Sequence, residues 1–177
     1  YETKGPGQIK PKRDYLSRQI LRYKTKHNIP FKYPPALPFN SLYALRLSLK
    51  SIAGYDQKTF VDTFYRMVYE YGVDLGDSDL IQKTLLEKGF DAQSLMDRIS
   101  SKEVKLELRA NIEKALSRGV FGVPTFVVIE EGHEELFWGN DSIEDLLEYL
   151  NGKDILPKNE YQQFITNFPM WGITWKR

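Results

Sequence analysis

Residues 119–141 read GVFGVPTFVVIEEGHEELFWGND, and along this stretch turn chemistry, a strand pattern and a helix start follow one another. Gly119 comes directly after an apolar-periodic run ending at Arg118, where a helix commonly closes on a left-handed residue. Gly122, Val123 and Pro124 lead into Thr125, Phe126, Val127, Val128 and Ile129, a β-branched and aromatic run that reads as a buried strand. The turn Glu130, Glu131, Gly132, His133 separates it from Leu136, Phe137 and Trp138, so the two runs are expected to pair as a hairpin. Asn140 and Asp141 follow Gly139 and precede Ile143, Leu146, Leu147 and Leu150 at helical spacing. One of the two is expected to N-cap a last helix that Gly152 ends.

The bond before Pro124 decides what this edge can do. In trans, the proline simply opens the strand. In cis, it turns the main chain of Val123 outward and leaves an N–H and a C=O to which an extended peptide can add. The residues alone leave both readings open.

Upstream of this stretch the pattern is helical. Residues 1–11, YETKGPGQIKP, are polar and rich in Gly and Pro, hence a loop. From Lys12 a helix face runs through Leu16, Ile20, Tyr23 and His27 until Asn28 and Pro30 stop it. Four prolines between positions 30 and 38 exclude a regular element there. Asn40 is expected to cap a helix that carries Leu42, Leu45, Leu49 and Ile52 on one face, with Gly54 beyond its end. Asp56 opens another, whose stripe of Phe60, Phe64, Met67, Val68 and Tyr71 reads as core rather than as a cofactor box. Further helices are expected over residues 78–88, 91–99 and 101–118.

Bulk composition narrows the function. The chain has 177 residues, 41% of them hydrophobic and 28% charged, which fits one domain or one domain with a sizeable insertion. Lys plus Arg is 25 against 24 Asp plus Glu, a net charge of +1 that gives no electrostatic footprint for nucleic acid or an anionic membrane. No apolar run approaches the ~18–20 residues needed to span a bilayer. Cysteine is absent, so disulfides, thiolate metal ligands and dithiol redox chemistry are excluded within these residues. His27 and His133 lack ligand-spaced partners and read as surface or helix-end residues rather than metal ligands.

The sequence GVPTFVV, a hairpin, then LFWGND and a helix resembles the C-terminal half of a thioredoxin-type fold. More narrowly, it resembles the kappa-class glutathione transferases and the 2-hydroxychromene-2-carboxylate isomerases, which have a DsbA-like thioredoxin fold with a large inserted helical domain. The resemblance covers residues 3–151 and includes KGPGQIKPKRDY, in which Lys12 stands three positions before Tyr15. It implies an α/β, thioredoxin-like fold, mostly helical in the part present. Residues 1–11 would leave the thioredoxin-like part, residues 12–118 form the inserted helical domain, residues 119–152 supply the C-terminal half of the thioredoxin-like domain, and residues 153–177 form a tail.

In that family the proline is cis and the residue before it, here Val123 before Pro124, binds the cysteinyl backbone of glutathione. The family's lysine at the place of Lys12 meets the glycyl carboxylate, a task suited to a flexible point charge. A small polar residue and an Asp, here Asn140 and Asp141, hold the γ-glutamyl end. Read without the resemblance, Lys12 is a solvated first-turn lysine and Asn140 and Asp141 are capping residues. Two departures stand out: Thr3 replaces an Asn that faces the ligand, and Ser142 replaces an Arg.

The resemblance thus implies glutathione as cosubstrate or cofactor, a small-molecule electrophile or unsaturated keto acid as substrate, and a homodimer in the cytoplasm or an organellar matrix. The aromatic FWGND leans to the isomerase side. The family's catalytic serine lies in a strand-helix-strand segment before Tyr1, so no catalytic residue is assigned in this chain. Ser41, beside Asn40, is read as a cap. The alternatives are a non-catalytic binding module of the same ancestry, or a thiol-disulfide oxidoreductase should cysteines lie upstream. In the tail, Phe164, Phe168, Trp171 and Trp175 are expected to pack on the chain itself or on a second subunit.

Overall fold

The computed structural model describes residues 8–167. Thr3, Phe168, Trp171 and Trp175 lie outside the described residues. The chain divides into two compact units, Tyr1–Glu113 and Lys114–Arg177.

The first unit is helical. Helix α1, Lys10–His27, has a proline in its first turn, where a missing N–H costs nothing, and it ends at Asn28 in the left-handed conformation. Lys24, Lys26 and His27 occupy its last turn, where cations complement the negative end of the helix dipole. No residue of α1 is buried, and Leu16, Ile20 and Tyr23 are exposed.

The helix expected to carry Leu42, Leu45, Leu49 and Ile52 on one face is two helices, α2 (Leu42–Leu47) and α3 (Lys50–Ala53). Leu49 between them is extended, with φ −66° and ψ 143°, which resets the face. Leu47, Leu49 and Ile52 are buried, whereas Leu42 and Leu45 are each 46% exposed. Asn40 does not cap in the expected way: its Oδ1 accepts from the N–H of Leu42 at 3.1 Å, a local Asx turn, and Ser41 at the N-cap position makes no side-chain cap.

Helix α4, Gln57–Tyr69, buries Phe60, Phe64, Met67 and Val68, while Tyr71, expected on the same stripe, lies past the helix end and is half exposed. Helices α5 (Ser78–Glu87) and α6 (Ala92–Ile99) begin with side-chain caps. Asp77 accepts from the N–H groups of Asp79 and Leu80 at 3.0 and 3.1 Å, and Asp91 from that of Ser94 at 3.1 Å. These caps satisfy amides that have no partner inside their helix. Leu47, Val68, Ile81, Leu85 and Ile99 are the most completely enclosed side chains of the core. Helix α7, Lys102–Ser117, adds Val104.

Among its described residues, the second unit holds the end of α7, a hairpin and two further helices. Strands β1, Thr125–Glu130, and β2, His133–Trp138, pair antiparallel with Thr125 opposite Trp138 and Glu130 opposite His133. Glu131 and Gly132 have φ of 48° and 84°, the two positive values a tight hairpin turn of this twist requires. The strand expected to be buried is only half covered: Thr125, Val127 and Val128 are partly shielded, and Phe126 and Ile129 are exposed. A short 3₁₀ turn, Asn140–Ser142, leads into α8, Ile143–Leu150, whose Leu146 is buried. Helix α9, Lys158–Asn167, follows, a helix the turn-rich tail sequence did not suggest, with Phe164 half exposed.

Candidate functional site

The second unit brings two of the sequence-marked stretches together. The Val123–Pro124 peptide is cis. On one side of Val123, the carbonyl of Gly122 accepts from the Thr125 hydroxyl at 2.6 Å. On the other, the carbonyl of Pro124 accepts from the N–H of Gly139 at 2.9 Å. Both flanking carbonyls are therefore engaged. Val123 itself is 87% exposed, and its N–H and C=O have no hydrogen-bond partner among the described residues.

The Gly139 bond anchors Asn140 and Asp141 beside the proline turn, one residue further along the chain. Neither side chain caps α8. The N-cap position is Ser142, whose hydroxyl turns back to donate to the carbonyl of Gly139 at 3.0 Å. The expectation that Asn140 or Asp141 caps the helix is thus corrected: the 3₁₀ turn carries both outward. They are exposed, with no side-chain partner among the described residues. A carboxylate left free on such a turn offers a counter-charge to a ligand ammonium group.

An aromatic pair lies behind the proline turn. Phe121 and Trp138 have ring centroids 5.1 Å apart, tilted by 55°. A Cβ on Gly122 would fall 3.0 Å from Cε2 of Trp138 and closer still to its Nε1, so glycine is what lets the indole lie there. The hairpin register was the available signal. Setting Thr125 opposite Trp138 puts the indole next to the proline turn.

Lys12 lies on α1, in the first unit, and is exposed.

This arrangement, a proline turn entering a β-hairpin followed by a helix, matches the DSBA-like thioredoxin domain over residues 1–151, and the chain belongs to that family. It is 27% identical over 144 residues to 2-hydroxychromene-2-carboxylate isomerase of Sphingobium xenophagum, covering 81% of this chain and 70% of that protein. With the isomerase of the same name from Pseudomonas sp. (strain C18) it shares 28% over 133 residues, 75% of this chain and 59% of the other. Glutathione S-transferase kappa 1 of Rattus norvegicus is 40% identical over 62 residues, 35% of this chain and 27% of that protein. A solved structure of 2-hydroxychromene-2-carboxylate isomerase superposes with a TM-score of 0.71 at 23% identity, covering 86% of this chain and 71% of the other. The fold is a DsbA-like thioredoxin fold with a helical insertion, as the motifs around Pro124 and Asn140 imply.

Proposed function

We propose that this protein is a glutathione-dependent enzyme of the kappa-class transferase and 2-hydroxychromene-2-carboxylate isomerase type. The observation that carries the reading is the free main chain of Val123, exposed between two residues whose own carbonyls are already bonded. A free N–H and C=O on an exposed residue suit an extended peptide added in the manner of a strand. Asp141 then faces the ammonium group of the γ-glutamyl end, and the amides of the turn at Asn140 face its carboxylate.

Bound glutathione supplies a thiolate that adds to an electrophilic or unsaturated keto-acid substrate, a nucleophile this cysteine-free chain lacks. The residues described here bind and orient.

Isothermal titration with glutathione tests the reading. Saturable binding is expected, and Asp141→Ala is expected to weaken it by about 1–3 kcal/mol, the range for a lost charged hydrogen bond. Unchanged affinity in that variant would remove Asp141 from the site.

A further inference from the structure

In the helical unit, α4, α5 and the chain between them line a cavity of about 360 Å³, at the small end of the ~300–1,000 Å³ typical of ligand pockets. Thr63 and Met67 of α4 form its buried side with Val73 half-buried, whereas Arg66, Tyr71, Glu87 and Lys88 are exposed, so the space opens to solvent. Its polar groups are committed unequally. Arg66 gives Nε and Nη2 to the Glu70 carboxylate at 2.7 and 3.1 Å, and Nη2 also donates to the Tyr71 hydroxyl at 2.7 Å, so this cluster is satisfied within itself. Lys88 has no ion pair or side-chain hydrogen bond among the described residues. The hydroxyls of Thr63 and Thr84 donate to the carbonyls of Thr59 and Leu80 at 2.6 and 2.8 Å, so any further bond they make is as acceptors.

We infer that this cavity binds a small α-amino acid with an aliphatic side chain. The free ammonium of Lys88 suits the carboxylate of such a ligand. The ligand's own ammonium brings three donors and no acceptor, the complement of two hydroxyls that can only accept. Glu87, next to Lys88 at the end of α5, adds a carboxylate whose one ion pair, to Lys83, is stretched to 4.0 Å. Met67 and Val73 offer the aliphatic side chain an apolar surface. A carboxylic acid without the amine leaves the hydroxyls and Glu87 unused. An amine without the carboxylate leaves Lys88 unused.

The test is thermal melting of the whole chain at fixed ionic strength, without glutathione, against L-leucine, 4-methylpentanoate, which lacks only the amine, and 3-methylbutylamine, which lacks only the carboxylate. Because no glutathione is present, its outcome is separate from that of the titration above. A ligand that binds only the folded state raises the melting temperature in a saturable way. Leucine is expected to do so, and the two analogues only at much higher concentration. Lys88→Met and Thr84→Val should each move the leucine midpoint up about tenfold or more, as expected for a lost hydrogen bond to a charged group. Lys50→Met, on α3 and away from the cavity lining, should leave it in place. Lys88 is exposed, so its variant keeps the core; should Thr84→Val fail to fold, the midpoint in Lys88→Met decides. The inference is overturned by no saturable shift with leucine, by an equal shift with either analogue, or by an unchanged leucine midpoint in either folded variant of the cavity.

Discussion

Gly139 donates its main-chain N–H to the carbonyl of Pro124 at 2.9 Å, and this single bond ties the start of the last thioredoxin-like helix to the proline turn. Gly139 has φ 88° and ψ 168°, a backbone region closed to residues with a Cβ. Gly139→Ala is therefore expected to destabilise the protein by about 1–3 kcal/mol. Urea unfolding measures the loss, and glutathione affinity should fall with it, because the turn at Asn140 would be re-aimed.

Capping and binding can be separated by stability. Asp77 bonds two free amides of α5, so Asp77→Ala should cost about 1 kcal/mol. Asn140 and Asp141 make no such bonds, and their alanine variants should unfold within ~0.5 kcal/mol of the parent. Chemical denaturation of the three variants side by side checks this. A cap-sized loss at Asn140 would mean that its side chain serves the helix after all.

Gly122→Ala forces Trp138 off its place against Phe121. The expected loss is about 1–3 kcal/mol, the usual range for overpacking, together with a change in tryptophan fluorescence. Combining it with Trp138→Ala in a double-mutant cycle should recover most of the Gly122 term, since the two residues are in contact.

The break between α2 and α3 gives a sharp contrast. Leu47→Ala opens a cavity in the core and is expected to cost about 2–5 kcal/mol. Leu45→Ala, two positions earlier on the exposed side, should stay within ~0.5 kcal/mol. Equal losses would restore the single continuous helix.

Most of the element order was legible because glycines and capping residues mark it. Gly119, Gly132 and Gly152 all have positive φ where the sequence placed a helix end, a hairpin turn and a second helix end. The stripe Phe60, Phe64, Met67, Val68 was read correctly because one helix buries one face. The break at Leu49 carries no Gly or Pro, so the periodicity ran through it: Leu49 and Ile52 are buried as that face requires, whereas Leu42 and Leu45 are exposed and Leu47 is buried in their place. At the site, the resemblance pointed to Val123, Pro124, Asn140 and Asp141, whereas their link through Gly139 continues the hairpin register, with Pro124 opposite Gly139 beyond the Thr125–Trp138 pair, and emerges only once that register is fixed.

The central claim is that a peptide thiol lies along the main chain of Val123. A glutathione titration followed by amide NMR tests it directly, with the amides of Val123 and Asp141 as reporters and those of Ile81 and Leu85, deep in the helical core, as controls. The account predicts saturable shifts at Val123 and Asp141 with one common affinity and none at Ile81 or Leu85. Saturable binding that leaves the Val123 amide unmoved, or no binding at all, would contradict it.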